Sequence, residues 1–123
     1  MNKSQALYSF WSGFQLPAYD ENSVPDGTPF PYITYSDMTD SLGNMVALSA
    51  SIWDRSNSWE RITLKAEEIA EKIGKNGYHI MQLDEGYVWL VKGTPFAQRM
   101  GDPEDTKIKR IYLNVQAEFL TQY

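Results

Sequence analysis

Cysteine is absent from the 123 residues of this chain. A disulfide, a thiolate nucleophile and a sulfur-ligated metal site are therefore all excluded. Histidine is almost absent too, since His79 is the only one, and the common zinc sites need several histidine or cysteine ligands. We expect His79 to be a hydrogen-bonded or solvated strand residue, with no catalytic group, metal or cofactor in the chain.

Long apolar runs and a positive charge balance are missing as well. No segment approaches the length of a membrane span, and residues 1–4 lead into an amphipathic stretch rather than the apolar run of a signal peptide. The net charge of −5 argues against a nucleic-acid binder, because phosphate contacts rely on clustered Lys and Arg. We therefore expect a protein made in the cytoplasm, with no membrane partner and no specific nucleic-acid partner.

Aromatic residues, in contrast, are abundant. They make up 14% of the chain and include four Trp and eight Tyr. Amphipathic aromatic side chains often make contacts at protein interfaces, although core packing is the simpler explanation for any one of them. The hydrophobic fraction of 42% and the length predict a single domain, 1–123, with a self-sufficient core.

Two segments have the apolar spacing of helices. Residues 4–14 place apolar side chains at i, i+3, i+4 and i+7, and Gly13 would fray or end that helix. Residues 59–73 carry a longer apolar stripe, which Asn57 and Glu60 would begin as a capping box. The stripe consists of Trp59, Ile62, Ala66, Ile69, Ala70 and Ile73.

Five segments predict strands, because they alternate or are rich in β-branched and aromatic residues. They are residues 32–35, 45–54, 78–83, 87–91 and 107–119. The first two form a hairpin with a turn around residues 41–44, and Asp84-Glu85-Gly86 is a tight hairpin signal. The last strand alternates most clearly, with Ile111, Leu113, Val115, Ala117 and Phe119 inward and Arg110, Tyr112, Asn114, Gln116 and Glu118 outward.

The stretches 17–31 and 92–106 are rich in Pro, Gly and Asp and predict loops, the first of them ordered. The element order is then helix, two strands, helix, three strands. This order predicts an α+β fold, in which a largely antiparallel twisted sheet of about five strands is packed by one long and one N-terminal helix.

The acidic residues do not form a recognisable catalytic pair. They cluster in predicted turns, such as residues 102–105, where Asp hydrogen-bonds its own backbone. Contact surfaces are the better candidates, and Phe, Arg and Met are enriched at interfaces, although Phe96 could equally cover the sheet edge. The candidate interface residues are Asp84, Glu85, Phe96, Arg99, Met100, Arg110, Tyr112, Asn114 and Gln116.

The order of parts also resembles a known family. An N-terminal helix and a Pro-rich approach precede Phe30-Pro31-Tyr32-Ile33-Thr34-Tyr35, and the long strand 45–54 runs through a short polar turn into Trp59 and the amphipathic helix. A meander then ends in the long strand 108–120. In this pattern the chain resembles the tail terminator (tail completion) proteins of long-tailed bacteriophages.

The resemblance implies a small structural subunit of the virion tail that forms a ring, usually a hexamer, on the head-proximal end of the completed tail tube. The ring stops tube polymerisation and joins the head connector, so its partners are other copies of the chain, the tube protein and the connector, while the genome passes through the lumen. A neighbouring neck protein remains an alternative within the same layout.

Two further alternatives come from other functional classes. A small enzyme or ligand-binding domain of this layout would show a deep pocket with convergent polar groups and a titratable residue of shifted pKa. A single-stranded nucleic-acid binder would use Tyr32, Tyr35, Trp89 or Tyr112 as stacking platforms.

Overall fold

A computed structural model describes residues 1–39, 44–74 and 76–121. These residues form two α-helices, a short 3-10 helix (Ser12–Phe14) and six strands. The elements are α1 (Lys3–Trp11), β1 (Ala18–Asp20), β2 (Tyr32–Tyr35), β3 (Asn44–Arg55), α2 (Glu60–Gly74), β4 (His79–Leu83), β5 (Gly86–Gly101) and β6 (Ile108–Leu120). The α+β class is therefore confirmed, and the predicted turn around residues 41–44 lies largely outside the described ranges.

All six strands belong to one sheet, in the order β1-β2-β3-β6-β5-β4. Only β1 and β2 run parallel, and every other neighbouring pair is antiparallel. The last strand in the sequence, β6, lies near the middle of the sheet and pairs with all of β3, from Asn44 opposite Phe119 to Arg55 opposite Ile108. Both edges of β6 are therefore paired, one with β3 and the other with β5.

The predicted strand count and order were wrong in one respect, since a sixth strand lies inside the stretch 17–31. Residues Ala18–Asp20 run parallel to β2, and the N–H of Ile33 donates to the carbonyl of Pro17 at 2.8 Å. Three residues are too short to show a period of two, so sequence pattern could not reveal this strand.

The predicted loop 92–106 was also wrong over most of its length, because β5 continues to Gly101. Pro95 lies in an irregular part of this strand between Lys92 and Ala97, where the pairing with β6 shifts register. A bulge leaves residues out of the hydrogen-bond ladder, so the missing N–H of proline is tolerated there.

Both helices begin at side-chain caps. In α1 the Asn2 side chain accepts from the Gln5 N–H at 2.8 Å, and the Gln5 side chain accepts from the Asn2 N–H at 2.9 Å. This capping box was not predicted. At α2 the hydroxyl of Ser58 accepts from the Glu60 N–H at 3.1 Å, so the expected cap at Asn57 was wrong.

One buried cluster joins both helices to the same face of the sheet. The α2 stripe is confirmed at Ile62, Ile69 and Ile73, which are fully buried. The inward series of β6 is confirmed as well. Its five side chains are at most 3% exposed, and they are Ile111, Leu113, Val115, Ala117 and Phe119.

Candidate docking face

The two faces of the sheet have different surroundings. The helices cover the face that carries the inward series, and within the described residues no helix packs on the opposite face, which we call the open face. Side chains alternate along each strand, so every second residue of the long strands belongs to the open face. Strand register places Tyr32, Trp53, Arg110 and Met100 in one row across it.

An aromatic–arginine cluster, formed by Tyr32, Trp53, Arg110 and Tyr112, occupies one end of the open face. The guanidinium carbon of Arg110 lies 4.7 Å from the ring centroid of Trp53 and 5.3 Å from that of Tyr112. On the other side of Trp53, the Tyr32 ring is nearly parallel to it, with centroids 6.4 Å apart and an angle of 22°. The cation is thus held by two electron-rich rings, an arrangement that is attractive in itself.

Two buried hydroxyl groups fix this cluster to the sheet. The Trp53 indole N–H donates to Thr34 Oγ1 at 2.9 Å, and Arg110 Nε donates to Ser51 Oγ at 2.8 Å. Thr34 and Ser51 are only 8% and 2% exposed, because the ring and the guanidinium cover them. These bonds satisfy polar groups whose burial would otherwise be costly.

The cluster has a single charge at neutral pH. Burial, and then the neighbouring Tyr19, raise the pKa of Tyr32, so its phenol stays protonated. Among the described hydrogen bonds Arg110 uses only Nε, which leaves both terminal nitrogens of its guanidinium without a protein acceptor. Such a group is suited to a carboxylate on a docking partner.

An apolar patch lies at the opposite end of the open face. Tyr78 stacks on Trp89 with centroids 5.0 Å apart and an angle of 13°. In the same region of the open face, Ile80, Tyr87 and Met45 are 43%, 46% and 53% exposed, and Glu118 lies between Met45 and Trp89. Several large apolar side chains left bare in one region are typical of a surface that meets another molecule.

Five of the nine predicted contact residues lie on the open face. They are Met100, Arg110, Tyr112, Asn114 and Gln116, on β5 and β6. Asn114 is engaged locally, because its side-chain amide donates to the carbonyl of Pro95 at 2.8 Å. The open face therefore brings together the majority of the set, but not all of it.

The other four predicted residues lie elsewhere. Phe96 packs against the core on the helix side, and Arg99 lies over the Trp59 ring at 5.2 Å. Asp84 and Glu85 form the tip of the β4–β5 hairpin, where the Asp84 carboxylate pairs with the amino group of Met1. These residues do not share a surface with the open face.

Sequence reasoning missed the anchoring role of Trp53, Thr34 and Ser51. Trp53 and Ser51 are two positions apart in the strand predicted over residues 45–54, so alternation puts them on one face, but the sequence does not give the register between β3 and β6. Tyr35, one of the stacking platforms that the nucleic-acid alternative would use, is a core residue at 5% exposure and therefore cannot serve as one.

His79 and the acidic turn residues, which could in principle take part in catalysis, contact neighbouring parts of the fold. His79 lies on the helix side, 5.2 Å from the Phe10 ring, and burial followed by the charge of Lys72 lowers its pKa. Asp102 accepts from the N–H groups of Glu104 and Asp105 at 2.7 and 3.1 Å, as expected for a turn. In the part of the chain that the structure describes, no three acidic or histidine side chains are grouped to hold a metal ion.

Three surface depressions lie among the described residues. Two of them have volumes of about 500 and 460 Å³, and a crevice between α2 and β5 has about 210 Å³. Of the residues with a shifted pKa, only Arg61 lines one of them. Its pKa is raised first by its hydrogen bond to Asp54 and then by the charge of that carboxylate. Both causes belong to the ion pair between α2 and the end of β3.

Asp54 is a buried carboxylate that sequence reasoning overlooked. It is fully buried, accepts from Arg61 Nε at 3.2 Å and also from the Arg55 N–H at 2.8 Å. The signal was present, because Asp54 continues the inward series of β3 that ends in Leu48, Ala50 and Ile52. An acidic residue on an inward face predicts a buried ion pair.

Comparison with known proteins adds no relative: neither protein-family models, nor curated proteins, nor solved structures give a match to this chain. None of the helices in residues 1–39, 44–74 and 76–121 is long and apolar enough to cross a membrane.

Proposed function

We propose that this chain is a structural subunit of a phage tail, which assembles as a ring on the head-proximal end of the tail tube and there joins the head connector. The family resemblance of its sequence suggests the assembly, and the one-sided sheet supports the docking role. The alternative is that the chain is a neighbouring neck protein of the same layout, which would also dock through the open face.

The single observation that carries the docking role is the open face. A sheet normally buries at least one face, and here the two helices complete that core without covering the other side. The uncovered side carries an anchored arginine at one end and an apolar patch at the other. Aromatic residues, Met and Arg are enriched at protein interfaces, and Trp, Tyr and Arg are the commonest hot spots of binding energy.

The direct test combines sizing with electron microscopy. The purified chain is measured by light scattering, alone and with tail tubes assembled from the tube protein of the same virus, and tube ends are then imaged. We expect rings at the ends of tubes and an arrest of tube growth. A monomer that leaves both the tube ends and the tube length unchanged contradicts the proposal.

The aromatic–arginine cluster also favours a second candidate, a binder of single-stranded nucleic acid. Rings beside a cation on an open sheet resemble a stacking platform, although the net charge of −5 opposes phosphate binding. Retention of single-stranded DNA at low salt, abolished by Trp53→Ala, would favour this candidate over the first. We expect no retention.

A further inference from the structure

The outer edge of β5 is unpaired over its second half. Strand β4 pairs with β5 only as far as Leu90, opposite His79. Beyond that point the described strands leave one edge of β5 without a neighbour, while β6 pairs with the other edge as far as Gly101. After the irregularity, residues 97–101 form a regular segment, and all five are exposed. Every second residue of this segment directs its N–H and carbonyl away from β6.

Among the described strands, none pairs with the outer edge of β3 over its first part. Strand β2 pairs with β3 from Ala50 to Trp53, and the N–H of Ser36 adds one bond to the carbonyl of Ser49. No described strand pairs with the outer side of residues 44–48. This segment reads Asn-Met-Val-Ala-Leu, with neither a charge nor a proline to prevent pairing with another chain.

These two edges, which no described strand pairs with, are complementary in position. They lie on opposite flanks of the sheet, and both β3 and β5 run antiparallel to β6, so they are parallel to each other. They also lie at opposite ends of β6: Arg99 is level with Ile111, whereas Val46 is level with Ala117. The offset of six residues corresponds to roughly 20 Å along the strand.

From this placement we propose that copies of the chain pair head to tail, with residues 97–101 of β5 in one copy lying parallel to residues 44–48 of β3 in the next. The proposal deepens the ring assembly described above and rests on it. The partner is therefore a second copy of this chain, and the main-chain hydrogen bonds would supply the contact.

Neighbouring strands leave room for this junction. In the first copy, β4 occupies the edge of β5 only before the free segment begins. In the second copy, β2 occupies the edge of β3 only after the free segment ends. The two short flanking strands would therefore lie at either end of the junction rather than against each other.

The offset between the edges also suits a closed assembly. A sheet closes into a ring only if its strands tilt and their register staggers by a fixed amount. Identical head-to-tail contacts then produce a ring when the rotation between subunits divides a full turn. The outermost strands offer a weaker junction, because β1 has only three residues to pair with β4.

The absence of cysteine makes a cross-linking test clean. Met45→Cys or Ala47→Cys on β3 is combined with Gln98→Cys on β5, all three being exposed positions on the open face. The double variants are oxidised at the highest soluble concentration, alone and on tail tubes, and separated on denaturing gels. A matched control pair, Tyr19→Cys with Gln82→Cys, probes the outermost strands β1 and β4.

We expect a ladder of dimer, trimer and larger species from the β3–β5 double variants, and monomer from each single variant. Dimers from a single variant would show a two-fold contact and overturn the proposal, as would a ladder from the control pair alone. No ladder under either condition would overturn it too. If rings still cap tubes in that case, the function stands and only the junction is wrong.

Discussion

The two faces of the sheet use the same strands for opposite purposes. On the helix side, aliphatic side chains pack to near-zero exposure in a single cluster with α1 and α2. On the open face, flat rings and a guanidinium lie across the strands and bury two hydroxyl groups beneath them. The helix side stabilises the fold, whereas the open face is ordered without being covered. This difference separates residues that hold the chain together from residues that are free to bind.

The largest expected difference between the two faces is in the loss of stability when the same charge is placed on each. Ile69→Asp puts a carboxylate into the fully buried side of α2, and we expect a loss of more than about 4 kcal/mol, enough to unfold the chain. Ile80→Asp, at a position 43% exposed on the open face, should cost about 1 kcal/mol or less. Urea unfolding measures both. A cooperatively melting Ile69→Asp protein would contradict the assignment.

The buried ion pair at the end of β3 should give the next largest effect. Arg61→Ala leaves the carboxylate of Asp54, which is fully buried, without its main partner, and we expect a loss of about 2 kcal/mol. Arg55→Ala is the matched control, since its partner Asp105 is partly exposed, and it should have a smaller effect. Equal losses of unfolding free energy in the two variants would show that burial of Asp54 is unimportant.

On the open face the expected loss is in binding rather than in stability. Arg110→Ala should reduce affinity for tube ends by about 30-fold, as expected for an interface hot spot of about 2 kcal/mol. Lys65→Ala removes a cation from α2, away from both the cluster and the proposed junction, and should leave that affinity nearly unchanged. Titration of tube ends with labelled protein measures both, and thermal melting shows that both variants are folded. Equal affinities would remove Arg110 from the docking surface.

The smallest expected effect is the change in the pH dependence of stability when His79 is replaced. Burial and Lys72 lower the pKa of His79 below its usual 6.5, so the unfolded chain binds this proton more readily than the folded chain does. The contribution of His79 to the free energy of unfolding is therefore fully present above pH 6.5. It is lost as the pH falls through the lowered folded-state pKa. Between about pH 7 and 5, His79→Gln should lose less unfolding free energy than the parent protein. An equal loss would show that His79 does not contribute.

Sequence pattern predicted the elements better than their assembly. The α2 stripe and the alternation of β6 are long enough to show their periods, so both could be found. The three residues of β1 could not, and Pro95 concealed the continuation of β5. Predicting the aromatic–arginine cluster would also have required the strand register that places Trp53 opposite Arg110. Alternation tells which side chains share a face, but only pairing tells which ones meet.

The position of β6 in the sheet has a consequence for how the chain folds. It is the last of the six strands in sequence, yet β3 and β5 are both joined through it. On the ribosome, the earlier strands must therefore wait until β6 has emerged before the sheet can form. Contacts between β3 and β6 span more than fifty residues, and such non-local pairing slows folding. The apolar segments of β3 and β5 are exposed during that interval, which is when association with the wrong chain is most dangerous.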